Sequence, residues 1–240
     1  MKFRSALPCL LLALILVPAG TFARTAKSKP KTATASSPKD SAATTARDTA
    51  APAAPAPVAA PAPAPKPVPS GPGFTDSRDG KFYRTVAIGD RTWMAQNLDF
   101  KTDPSQCYEN VVRNCETYGR LYAWKTARQV CPEGWHLPTD EEWTALEKAV
   151  GDGAGNKLKS AKGWAQEGNG NDASGFGALP AGSHDNSGYF HDLEYVAGYW
   201  TASDKLVSGG IARLLDGRNG LLARSTASKT TGYSVRCAKD

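Results

Sequence analysis

Between residues 24 and 72 the chain has no Trp, Tyr, Phe, Leu, Ile or Met. A segment without large apolar side chains cannot bury enough surface to offset the entropy of ordering, which excludes a packed core there. Ala and Pro alternate from Ala51 to Pro69. That composition favours extended polyproline II at about 3.1 Å per residue, so residues 24–72 are expected to be a disordered, semi-rigid linker that acts as a spacer. Missing too is any apolar run of the roughly 20 residues that span a bilayer. The longest, about Ala6 to Val17, follows Lys2 and Arg4 and precedes the small residues Ala19, Gly20, Thr21 and Ala23. This is the pattern of a secretory signal, residues 1–23, cleaved after Ala23, and an uncleaved N-terminal anchor is its alternative. A lipoprotein would need a cysteine after the apolar stretch, whereas Cys9 lies within it.

The net charge of +6 hides a third absence. Residues 1–72 hold nine Lys/Arg and two Asp/Glu, leaving twenty and twenty-one for residues 73–240. The folded part is nearly neutral, with no basic stripe and no reader motif, so no nucleic-acid partner is expected. The excess belongs to the linker, where Lys27, Lys29, Lys31, Lys39, Arg47 and Lys66 could touch anionic envelope polymers at low ionic strength.

What remains, residues 73–240, is the length of one domain with a single core. Its four cysteines are Cys107, Cys115, Cys131 and Cys237. An even number in an exported chain predicts two disulfides, with three pairings open, and no CxxC spacing argues for metal or redox use. Pairing Cys107 with Cys115 would close a short surface excursion, CYENVVRNC. Pairing Cys131 with Cys237 would close a loop of about 105 residues, worth about 4–5 kcal/mol in denatured-state entropy.

Strands are expected over Lys81–Ile88 and Arg91–Leu98, joined at Gly89 and Asp90 as a hairpin. Leu121, Tyr122, Trp124, Ala127 and Val130 recur at helical spacing, predicting a helix over 119–130 that Cys131 and Pro132 end. In GWHLPTDEEW, Thr139 and Glu142 form a capping box, and Asp140 and Glu141 suit the positive end of a second helix running to about Val150. From Asn156 to Gly188 the chain is a long irregular region rich in Gly, Asn, Asp and Ser, with Trp164, Phe176 and Leu179 to pack it. A meander follows, with strands around 199–203, 211–215, 220–224 and 233–238. The expectation is an α+β domain whose first and last strands pair.

Several blocks are more specific: DSRDGKFYRTVAIGDRTWMAQNL, CYEN, NCETYGRLYAWKTA, VCPEGWHLPTDEEWTAL, LKSAKGWA, DASGFGALPAG, GYWTAS and GYSVRCAKD. Over about residues 74–240 they resemble the Fibrobacter succinogenes major paralogous domain. The resemblance implies an exported bacterial surface or envelope module and brings no established reaction, ligand or catalytic residue. HLPTDEEW and GYSVRC also resemble, more remotely, blocks of the C-type lectin-like fold, including its formylglycine-generating enzyme branch. That likeness implies a C-type lectin-like domain stapled by Cys131 and Cys237.

Trp200, Thr201, Ala202 and Ser203 stand where such lectins carry Trp-Asn-Asp, so calcium-dependent sugar binding is not implied. With the cysteines spent on disulfides, the copper chemistry of the enzyme branch is not implied either. His136, without a nucleophile signalled nearby, reads as a structural imidazole. The densest set of potential ligands is His184, Asp185, Asn186, His191 and Asp192, but its spacing matches no metal motif and it reads as a surface loop. No metal and no cofactor are expected. Trp164, Tyr189, Tyr195 and Tyr199 lie in or beside the long region, where aromatic rings could stack on a ligand. The functional expectation is a non-catalytic envelope or surface module that binds an envelope polysaccharide or a surface protein through residues 156–192. Its alternatives are an oxidative or metal-assisted enzyme, or a purely structural surface domain.

Overall fold

A computed structural model describes residues 71–205 and 209–240. The expected signal, 1–23, and the linker up to residue 70 lie outside the described residues. Among the described residues no helix is long and apolar enough to cross a membrane.

The fold is α+β. The chain begins with β1 (Gly73–Thr75), β2 (Phe82–Ile88) and β3 (Arg91–Met94), then β4 (Ser105–Gln106), a 3-10 turn at Tyr108–Asn110, α1 (Val112–Tyr118) and β5 (Leu121–Tyr122). It continues through α2 (Trp124–Ala127), β6 (Trp135–His136), α3 (Asp140–Val150) and α4 (Ala154–Leu158). After the long region come β7 (Ala181–His184), β8 (Phe190–Leu193), β9 (Val196–Lys205), β10 (Gly209–Asp216), β11 (Leu222–Ser228) and β12 (Ala238–Lys239). One sheet has the order β1-β2-β3-β12-β6, a second β11-β10-β9-β7-β8, and β4 pairs with β5.

The β2–β3 hairpin forms as expected, with Ile88 opposite Arg91 and Val86 opposite Trp93. Helix α3 also forms as expected: Thr139 accepts from the Glu142 amide (3.2 Å) and Glu142 returns the bond from the Thr139 amide (2.7 Å). Residues 119–130 differ from the expectation. All five periodic apolar residues are buried, yet the segment is strand β5 followed by the single turn of α2. Tyr122 is held extended because its amide donates to Tyr233 O (2.9 Å) and its carbonyl accepts from Trp200 Nε1 (2.8 Å). These long-range bonds outweigh helical periodicity, which is a weak local preference.

The end of the chain differs too. Strands β9, β10 and β11 form the antiparallel meander. The last strand instead leaves it and inserts between β3 and β6, with Ala238 opposite both Trp93 and His136. The C-terminal strand thus pairs with the second strand of the opening hairpin rather than the first. Cys131 and Cys237 are bonded across 5.9 Å between Cα atoms, next to this junction. Cys107 and Cys115 are bonded likewise, at 4.9 Å.

The core centres on four rings. Trp143 lies 5.1 Å from Trp93, 5.8 Å from Phe176 and 5.3 Å from Tyr199, centroid to centroid. Beside them the fully buried Arg236 guanidinium lies 4.4 Å above the Phe176 ring. The long region from 156 to 188 is packed down by Leu158, Trp164 and Phe176, all buried.

Candidate functional site

The four aromatic residues expected to meet a ligand divide between core and surface. Trp164 is 5% exposed, with its Nε1 donating to Ser160 Oγ and Ala178 O, both at 3.1 Å. Tyr199 is fully buried in the ring cluster. Neither offers a face to a ligand: the long region is packed, as expected, and it takes the Trp164 ring into the core, while Tyr199 lies inside the core from β9. Tyr189, at 70% exposure, and Tyr195, at 39%, do face solvent. They flank β8 at its two ends.

Of the His/Asp group around 184–192, His184, Asp185 and His191 are engaged at the β7–β8 turn. Asp185 Oδ1 accepts from the amides of Ser187 (2.8 Å) and Tyr189 (3.1 Å), and Asp185 Oδ2 lies 3.2 Å from His191 Nε2. The bond to His191, with the turn amides, holds the Asp185 carboxyl below the ordinary carboxylate range. Among the described residues no three His, Cys, Asp or Glu side chains are placed to hold a metal ion. His136 sits between two carboxylates, Nδ1 2.6 Å from Asp240 Oδ1 and Nε2 3.0 Å from Glu142 Oε1, so both ring nitrogens are engaged.

A better-formed site lies where three sequence features meet. It is a polar cleft of ≈ 270 Å3. One wall is the hairpin, with Lys81, Phe82, Arg84 and Gln96; the other is α1, with Glu116 and Thr117, held down by the Cys107–Cys115 bond. Gly177 and Leu179 of the long region complete it. Gly119 makes the approach of the walls possible. It has φ +77°, and a Cβ there would lie 2.6 Å from Asn97 Cβ.

The floor is built on Arg236. Its Nε donates to Asn97 Oδ1 (2.7 Å), and its terminal nitrogens donate to Met94 O (3.0 Å), Gly177 O (3.0 Å) and Phe176 O. Asn97 is held in turn, donating to Tyr118 O at 2.7 Å, and the Gly177 amide donates to Asp172 Oδ1 at 2.7 Å. Every acceptor hydrogen-bonded to Arg236 is a neutral oxygen. Burial lowers the pKa of this guanidinium, and nearby Arg84 pushes the same way while Asp172 opposes both. An arginine stays charged under such pressure, so positive charge lies behind Asn97 and Gly177, two residues of the cleft lining.

The groups on the rim divide by whether they are already engaged. Lys81 Nζ is spent on Asp99, 2.6 Å from both its backbone oxygen and Oδ2. Gln96 Oε1 accepts from the Arg84 amide (2.8 Å). Among the described residues the Arg84 guanidinium, the Gln96 amide nitrogen and the Glu116 carboxylate make no hydrogen bond or ion pair. Phe82, Arg84, Gln96 and Glu116 were not legible as a site in the sequence: they stand in the family blocks, but nothing in their spacing signals that the hairpin and α1 face each other.

No curated protein and no solved structure matches the chain. The model of the Fibrobacter succinogenes major domain matches residues 86–239, which takes in the β3 side of the cleft, α1, the long region and the Arg236 floor. With most of the chain matched by that one domain, and both disulfides of the folded part inside the match, this protein belongs to the Fibrobacter succinogenes major domain family.

Proposed function

We propose that this chain is an exported, non-catalytic module of the cell envelope or cell surface that binds a glycan or a protein at the polar cleft between the hairpin and α1. The observation that carries this reading is a rigid floor of buried hydrogen bonds beneath side chains whose own hydrogen-bonding capacity is unspent. With the floor already held in place, binding has only the exposed side chains of Arg84 and Glu116 and the half-buried Gln96 left to order. Two disulfides suit an oxidising, extracytoplasmic compartment, and the Pro-rich linker would hold the module away from its point of attachment.

A C-type lectin-like scaffold is part of the same reading. It is supported by the covalent tie from Cys131 to Cys237 and by the return of the last strand to the opening hairpin. A non-catalytic role is supported by the engagement of both His136 nitrogens with carboxylates and of all four domain cysteines in disulfides.

Glycan and protein arrays probed with the secreted full chain test the proposal, using Thr117→Trp to fill the cleft from an exposed position. Capture of a partner by the parent and its loss in Thr117→Trp is the expected result. Silence on both arrays from folded protein, or capture that Thr117→Trp leaves unchanged, would overturn it.

A further inference from the structure

The cleft's unspent groups are unevenly placed, and their placement selects a ligand class. On the hairpin wall they are donors, the Arg84 guanidinium and the Gln96 amide nitrogen. On the α1 wall there is an acceptor, the Glu116 carboxylate. Behind Asn97 and Gly177 lies the Arg236 charge, with no carboxylate hydrogen-bonded to it. Phe82, two residues before Arg84 and so on the same face of β2, adds a half-buried ring to the donor wall.

A guanidinium fork matches a carboxylate through two parallel bonds. An ionised carboxylate such as Glu116 only accepts, so it calls for hydroxyl donors on the opposite end of the ligand. It also repels a second negative charge, which disfavours densely sulfated or phosphorylated polymers. A volume of ≈ 270 Å3 lies just below the range of drug-sized pockets, which begins at about 300 Å3, and so suits one ring-sized unit. The cleft also lacks the deep apolar pocket that anchors protein partners.

Resting on the binding-module reading above, we propose that the cleft holds a single uronate unit of an acidic envelope polysaccharide, its carboxylate on Arg84 and its hydroxyls on Glu116. The lysines of the linker would add a non-specific attraction to a polyanion of this kind.

Isothermal titration of the secreted full chain with trigalacturonate, its methyl ester and a Glu-containing tripeptide tests this. The trimer is expected to bind and the ester to bind far more weakly. Arg84→Gln should weaken trimer binding about tenfold, the scale of one lost charge-assisted pair. Arg113→Gln, an exposed arginine of α1 outside the cleft, should leave it unchanged. Both variants replace exposed side chains, and an unaltered thermal transition confirms their folding. Equal binding of the trimer and its ester would overturn the uronate assignment while leaving the module reading intact, as would preferential binding of the tripeptide. Trimer binding indifferent to Arg84→Gln would overturn it as well. Failure to bind any of the three, alongside an array partner lost in Thr117→Trp, would sink the uronate and spare the module; silence in both experiments would remove both.

Discussion

Arg236 carries the largest single-residue consequence in this fold. Replacing it with Met keeps the length of the side chain and removes the donors that now satisfy Asn97 Oδ1 and the carbonyls of Met94, Phe176 and Gly177. Each buried acceptor left without a partner costs about 1–3 kcal/mol, so four place the gross loss at about 4–12 kcal/mol, part of it recovered by local relaxation. The cation–π contact with Phe176 adds about 1–2 kcal/mol. Against this stands the desolvation of a buried cation, several kcal/mol that the variant no longer bears. The net expectation is a destabilisation of about 3–5 kcal/mol, a large share of the roughly 5–15 kcal/mol that holds a domain together. For a domain of this size that lowers Tm by about 10 °C. Urea unfolding followed by tryptophan fluorescence reads it directly, since Trp93 and Trp143 pack beside Phe176. Arg236→Lys, which keeps the charge but has fewer and less spread donors, should fall between parent and Met. A Met variant within about 1 kcal/mol of the parent would refute the reasoning, because it would mean the carbonyls find other partners.

The two disulfides should differ in worth. Removing Cys131–Cys237, with a separation of 106 residues, should cost about 5 kcal/mol, and removing Cys107–Cys115, with a separation of 8, about 2.5 kcal/mol; unfolding of Cys→Ala pairs measures each. Trp164→Ala should cost about 3–5 kcal/mol, whereas Tyr189→Ala, with its ring in solvent, should stay within about 0.5 kcal/mol; chemical denaturation of the two in parallel checks the contrast. Thr139→Ala should lose about 1 kcal/mol by breaking the capping box at α3, read from the same unfolding curves. At the β10–β11 turn, the bond from Arg218 holds the Asp216 carboxyl below its ordinary pKa of 3.8. Its stabilisation is therefore complete above the unfolded pKa and fades as pH falls through the lower, folded value. Asp216→Asn should accordingly narrow its stability gap to the parent on acidification, in unfolding curves taken from neutral pH down to below pH 3.8.

The cleft could not be read from the sequence, and Arg236 shows why. In GYSVRC nothing distinguishes that arginine from a surface residue, and arginine is among the residues least often buried. Its acceptors come from the end of β3 and from Phe176 and Gly177, segments more than fifty residues away along the chain. Trp164 and Tyr199, set beside a ligand in the reading of the sequence, have their rings in the core. A Gly- and Asn-rich stretch has the composition of a loop, yet the amides of Gly170 and Asp172 donate to the carbonyls of Ser160 and Lys159 and fold the stretch back on itself, with Trp164 and Phe176 in the core.

Features that depend on near neighbours were legible from the residues alone. The capping box of Thr139 and Glu142, the hairpin turn at Gly89 and Asp90, the even set of cysteines and the burial of Leu121, Tyr122, Trp124, Ala127 and Val130 all follow from short-range chemistry or apolar spacing. Conformation over 119–130, the partner of the last strand, the fate of each aromatic ring and the existence of the cleft follow from contacts between distant segments. Local preferences amount to tenths of a kcal/mol per residue, whereas a buried, unmade hydrogen bond costs whole ones. Wherever Tyr233, Trp200 or Arg236 needed a partner, the long-range requirement therefore prevailed.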